Sequence, residues 1–171
     1  MSYKGRSTVL QKTDLGWRAI EVAGDGNSVR VEKMFEDTEN LDLVTFCGQL
    51  QGQGISKNNL VLSLDSESSS LRYHGGPPVP SWRLELILKY ELAEIAERTG
   101  EQLSGGHVEL QVPESESDDT LLLLGMGKDH MIQPLIESAG STGCRVRHAV
   151  PTTLGPYHVH LCTGSVRHDE T

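Results

Sequence analysis

Two histidines and a cysteine alternate in His158-Val-His160-Leu-Cys162. Side chains at i, i+2 and i+4 of a strand share a face, and two imidazoles with a thiolate are ligands that zinc accepts. His148 can complete a set of four. Against this, same-face Cβ atoms stand ~6.5 to 7 Å apart along a strand, which is wide for three ligands of one ion. The other reading is a His-bearing strand with Cys162 packed inward. A second constellation is Asp14-Leu15-Gly16. A carboxylate before a glycine-tight hairpin can hold metal-bridged phosphates, because glycine lets backbone N–H groups approach the anion. Trp17 and Arg18 follow at once and leave little room, and the ordinary reading is a turn whose Asp bonds nearby backbone. Gly125-Met-Gly127-Lys128 lacks the G-x-x-x-x-G-K-S/T spacing, so its glycines are expected to make a turn that leaves Lys128 exposed.

The remaining reactive side chains form no pattern. Cys47, Cys144 and Cys162 are odd in number and contain no C-x-x-C pair, as expected of small buried side chains in a reducing, cytoplasmic setting. Cys47 falls on an apolar helix face and Cys144 beside a strand of alternating polarity, so neither is expected in an electropositive niche. No Ser/His/Asp spacing supports nucleophilic catalysis. His74, His107, His130 and His168 fall at turns or segment ends. Glu114-Ser-Glu-Ser-Asp-Asp119 places four carboxylates in six residues, which repel one another and read as a solvated hairpin tip.

The elements that must position these groups follow from periodicity. Apolar and polar residues alternate through 7–14, 17–22 and 29–33, with breaks at Gly16 and Gly24-Asp-Gly-Asn27, which predicts a three-strand antiparallel meander. From Asn40, a candidate N-cap, Leu43, Phe46, Cys47 and Leu50 recur at helical spacing, and Gly52 or Gly54 can end the helix. A strand over 59–65 dissolves into Ser66-Glu-Ser-Ser-Ser70, and a short piece through Leu71 to Tyr73 reads as peripheral. After the proline-rich connector 75–80, a helix capped by Ser81 carries Leu84, Leu88, Leu92, Ile95 and Thr99 on one face and stops at Gly100. Strands over 107–112 and 120–125 follow, the second a continuous Leu run of the kind covered on both faces. A helix over 129–138, with Met131, Leu135 and Ile136 inward, and a strand over 144–150 close the series.

Fifteen Lys+Arg against 24 Asp+Glu give a formal charge of −9 over 171 residues. That balance argues against nucleic acid as a partner, since phosphate backbones are held by basic patches. The longest aliphatic run, Leu121 to Leu124, is far below the ~20 residues that cross a bilayer, so no direct membrane insertion is expected. A chain of this length supports one domain or two small ones.

Several strings together resemble the N-terminal half of the PilM family, actin-like proteins of type IV pilus assembly related to the cytoplasmic GspL component of type II secretion. They are Asp14-Leu-Gly16, Asn59-Leu-Val-Leu-Ser-Leu64, Lys89-Tyr-Glu-Leu-Ala-Glu94, Leu121 to Asp129 and Cys144-Arg-Val-Arg-His-Ala-Val150. The resemblance covers roughly 8–161 and implies an α/β (α+β) fold: an actin-like (RNase H-like) β-meander plus helix carrying an inserted ferredoxin-like β-α-β-β-α-β subdomain. The divisions it suggests are 7–58 for the first part of the actin-like subdomain, 59–150 for the insertion, and 151–171 for a return segment toward a second lobe. It implies a non-catalytic cytoplasmic scaffold that docks inner-membrane pilus or secretion proteins and reaches the membrane through them. Only Asp14 and Gly16 match the family's first phosphate loop; the serines after Gly16 and the Lys early in the second strand are missing. The family's second lobe, with its second phosphate loop, lies beyond the length read here, so no cofactor is expected for this chain, and ATP with magnesium only for a longer protein. The alternatives are an actin-fold ATPase completed by a second lobe, and a metal-binding α+β module using His148, His158, His160 and Cys162.

Overall fold

A computed structural model of the protein describes residues 4–25, 28–110 and 120–153. Strands β1 (Lys4–Thr13), β2 (Gly16–Asp25) and β3 (Val29–Glu36) form the antiparallel meander that the alternating pattern predicts. Helix α1 (Leu43–Gln49) follows and buries Leu43, Phe46 and Cys47. Its N-cap is Asp42 rather than Asn40: the Asp42 carboxylate accepts from Thr45 N at 2.9 Å, while Asn40 is left-handed with φ 54. Two residues' difference decides the cap because Asn40 still belongs to the turn that brings the chain off β3. Gly54, with φ 67, makes the left-handed turn after the helix, and Ile55 N donates to Leu50 O at 2.9 Å.

Strand β4 (Leu60–Leu64) then runs parallel to β1, in register Thr8↔Leu60 to Gln11↔Ser63. The five-stranded sheet has order β3-β2-β1-β4-β8, where β8 is Val146–Pro151, reached through helix α3 (Asp129–Ser141). Leu10, Ala19, Leu60, Leu62 and Leu64 of the sheet, Phe46, Cys47 and Leu50 around α1, and Ile132 and Ala139 of α3 make one core. Phe46 stacks on Phe35 with centroids 5.0 Å apart and planes 10° from parallel.

The chain between β4 and α3 builds a second unit. Strand β5 (Ser69–Gly76), helix α2 (Ser81–Thr99), β6 (Leu103–Leu110) and β7 (Thr120–Lys128) give a three-stranded antiparallel sheet of order β5-β7-β6. Leu84, Ile87 and Leu88 of α2 pack on Leu122 and Leu124 of β7, and the Leu run is buried on both faces, Leu122, Leu123 and Leu124 alike. Gly100, with φ 72, ends α2 by returning its N–H to Ala96 O at 2.8 Å. Ser81 is the first helical residue and Pro80 the cap position, without a side-chain cap bond.

The mixed α/β class stands as the sequence predicts, but the division of the chain does not. Among the described residues, one unit runs through Asp65 and again from His130 to Val150; the other takes residues from Ser66 to Asp129 and resumes at Pro151. The expected insertion over 59–150 is therefore shorter, because β4, α3 and β8 belong to the large sheet and its core. The β-α-β-β-α-β order exists along the chain, with β4 and β8 in the five-stranded sheet and β6 and β7 in the three-stranded one. The piece through Leu71, expected to be peripheral, is a full edge strand paired with β7 at eight positions from Ser69↔Gly127 to Gly76↔Thr120. The acidic hairpin tip and nearly all of the 151–171 return segment lie outside the described residues.

Candidate functional site

Thr13 pairs with Gly16, so Asp14 and Leu15 alone make the β1–β2 turn, closed by the Thr13 hydroxyl donating to Gly16 O at 3.1 Å. Asp14 and Leu15 are exposed. Gly16 has φ 152 and lies against Asp37: a Cβ there would stand 2.5 Å from Asp37 Oδ2 and 2.8 Å from Asp37 O. Asp37 is itself a buried anchor. Its N–H donates to Trp17 O at 2.8 Å, and its carboxylate accepts from Glu39 N at 2.8 Å and Leu41 N at 2.7 Å. Three backbone groups thus converge on one residue, which ties the segment before α1 to the start of β2.

Lys12 completes the rim. Its ammonium lies 5.3 Å from the centroid of the buried Trp17 ring and donates to Asn40 Oδ1 at 3.2 Å. Arg18, the next cation, is engaged by Glu36 at 2.6 Å. The turn therefore presents one exposed carboxylate, Asp14, beside an ammonium already held by an amide and a ring. The structure brings Asp14 and Gly16 together as expected from adjacent positions. Asp37, which the sequence reading passed over, explains Gly16 through the chain's own packing. Its only local signal is an Asp placed two residues before an exposed Glu and five before a cap, a pattern too common to single out.

A second cluster is the thiol pair. Cys47 of α1 and Cys144, just before β8, are both buried and both free. The two thiols interact with each other, and the Thr142 hydroxyl, which is 2.8 Å from Ala139 O, also lies 3.4 Å from the Cys144 sulfur. The Cys47 bond, then Thr142 and the charge of Lys57, hold the Cys144 thiol low, at about 6, against the opposing effect of burial. Cys47 is pushed up by that same bond and by burial. The expectation that neither thiol meets a lowering environment is corrected for Cys144. Thr142 is a near neighbour in the chain, but Cys47 comes from α1 and the charge of Lys57 from the segment before β4, and sequence proximity does not reveal those two.

In the second unit, a cavity of about 340 Å3 opens beside the C-terminal end of α2, lined in part by Ser70, Arg72, Glu67, Glu101 and Lys128. Lys128 pairs with Glu101 at 3.4 Å, so it is partly engaged rather than free at a turn. Two cations and two carboxylates leave no net charge to select an ion. Gly127 lies in β7, paired with Ser69 and Ser104. Of the proposed metal set, His148 is exposed on β8, and His158, His160 and Cys162 lie outside the described residues. Among the described residues no group of three His, Cys, Asp or Glu side chains is placed to hold a metal ion. No helix of the described residues is long and apolar enough to cross a membrane.

The meander, the parallel return of β4 beside β1 and the following helices define an actin-like fold. Among solved structures the chain is similar to a chain of a PilM-PilN type IV pilus biogenesis complex, at 12% identity over 93% of this chain and 51% of that one, with a TM-score of 0.65. It is also similar to the cytoplasmic domain of EpsL, an inner membrane component of the type II secretion system of Vibrio cholerae, at 12% identity over 86% of this chain and 57% of that one, with a TM-score of 0.53. The chain thus spans about half the length of the structures it matches. At this identity the likeness is one of fold. No known family profile and no curated protein matches the sequence.

Proposed function

We infer that the protein is a non-catalytic, cytoplasmic scaffold that binds inner-membrane proteins of a type IV pilus or type II secretion-like machine. The observation that carries this reading is the fold likeness over 93% of the chain to a component of a PilM-PilN complex, supported by the EpsL cytoplasmic domain as a second relative in fold. Attachment to the membrane runs through a partner in this reading. ATP and magnesium have no part in the work of this chain. The β1–β2 turn is two residues long, and the space over Gly16 is taken by Asp37.

Two measurements test the reading. Calorimetric titration of the chain with Mg-ATP is expected to give no binding, and a micromolar or tighter constant refutes the non-catalytic assignment for this chain. Titration with peptides from the cytoplasmic tails of inner-membrane pilus or secretion proteins of the same source is expected to give saturable binding to at least one. Failure of every such tail refutes the partner class.

A further inference from the structure

Helix α2 is apolar on two sides. Toward the sheet it presents Leu84, Ile87 and Leu88, and the ends of the Leu88 and Leu92 side chains approach Gly105 of β6. At about 100° per residue, the direction opposite that face passes through Leu86. There the helix exposes Trp82 at 64%, Leu86 at 42% and Tyr90 at 73%, with Ala93 beside them. Large apolar side chains at i, i+4 and i+8 form a continuous stripe, and such a patch on a helix marks an interaction surface.

The charges flanking the stripe say what covers it. On one flank are Arg83 and, three turns on, Glu94; on the other are Glu85 and Lys89, and all four are exposed. None of the four enters any of the ion pairs formed among the described residues. If a second α2 lies antiparallel, related by a two-fold axis perpendicular to both helices, each flank meets its own counterpart. With Leu86 opposite Tyr90 of the other copy, the level of Arg83 falls within about one residue of Glu94, and that of Glu85 within about two of Lys89, on their respective flanks. Trp82 then lies over Ala93, a large side chain over a small one. Both flanks are complementary in this single register.

We propose that the outer face of α2 pairs with the same face of a second copy of this chain, as an antiparallel helix pair centred on Leu86 and Tyr90. The inference is independent of the scaffold reading, since it rests on α2 alone. The stripe from Trp82 to Ala93 is about 17 Å long. An interface of that length falls at or below the low end for stable complexes, so the pair is weak.

Sedimentation equilibrium of the full chain from about 5 to 500 μM tests it. A reversible monomer–dimer equilibrium is expected, weakened about tenfold or more by Leu86→Glu, which places a carboxylate in the centre of the interface. Arg83→Glu and Glu94→Arg are each expected to weaken it about fivefold, and the two together to restore it. These positions are exposed, and unchanged far-UV circular dichroism verifies that the variants fold. A chain that is monomeric throughout the range, or a dimer indifferent to Leu86→Glu, overturns the proposal. Dimerisation not rescued by the double charge reversal overturns the antiparallel register.

Discussion

Replacing Gly16 by Ala tests whether this glycine exists for the chain's own packing or for an approaching anion. The new Cβ would stand 2.5 Å from Asp37 Oδ2, 2.8 Å from Asp37 O and 3.1 Å from Asp37 Cγ. Asp37 cannot swing aside freely. Its N–H is bonded to Trp17 O, and its two carboxylate oxygens hold Glu39 N and Leu41 N. Relief requires either breaking one of these bonds to a charged group, about 1.5–3 kcal/mol, or shifting backbone around an overpacked contact, about 1–3 kcal/mol. Residue 16 also has φ 152, a conformation L side chains rarely adopt, so a further cost of about 1 kcal/mol applies. The expected loss is about 3 kcal/mol, or roughly 6–12 °C in the unfolding midpoint for a chain of this size. Urea and thermal denaturation followed by the fluorescence of Trp17, in a Trp82→Phe background, reads the first unit directly. In an Asp37→Ala background part of the clash is gone, so the Gly16→Ala penalty should shrink by about 1 kcal/mol or more. A loss below 0.5 kcal/mol in the wild-type background, or full additivity of the two substitutions, refutes the account. Unchanged stability with altered Mg-ATP binding would reassign Gly16 to an anion.

Phe46 is fully buried and stacked on Phe35, so Phe46→Ala should cost about 3–5 kcal/mol in urea denaturation. Glu21 is buried on β2 and accepts from Ser56 N at 2.8 Å. Glu21→Ala should cost about 2 kcal/mol by leaving that donor unpaired, whereas Glu21→Gln, which keeps an acceptor, should cost less than half as much. In a Cys162→Ser background, thiolate absorbance should show one cysteine ionising near pH 6, and Cys47→Ala should raise that midpoint, because the Cys47 bond is the largest cause of the shift. The folded value of Cys144 lies below its ordinary 9.0, so its stabilising contribution is full above pH 9.0 and is lost as pH falls through about 6. Cys47 is shifted the other way; its contribution is full below its ordinary value and declines as the unfolded chain ionises above it. Stability of the wild type relative to Cys144→Ala should therefore rise from pH 6 to pH 9, measured by denaturation at each pH.

Element positions were legible because each is written locally. The alternation through 7–33 and the spacing of Leu43, Phe46, Cys47 and Leu50 both correspond to observed elements, since a period of two or of 3.6 is a property of neighbouring residues. The Asp14-Leu-Gly16 turn was legible for the same reason. The cap shifted from Asn40 to Asp42 because the two side chains are alike and only the backbone path off β3 separates them. Leu71 to Tyr73 read as peripheral because Ser-rich residues precede it, yet β7 supplies a partner along its whole length.

What the sequence determined by itself is the order and kind of the elements, the acidic balance that argues against nucleic acid, and the residues that could face a core. What only the tertiary structure decided is partnership: β4 beside β1 rather than within the second sheet, Asp37 against Gly16, and Cys47 against Cys144. The physical reason is that side-chain periodicity specifies which face of an element is buried but not which edge or face elsewhere in the chain will bury it. That choice is made by the summed packing and hydrogen bonding of the whole sheet, in which β4 closes the register Thr8↔Leu60 to Gln11↔Ser63 and buries Leu60, Leu62 and Leu64 in the larger core.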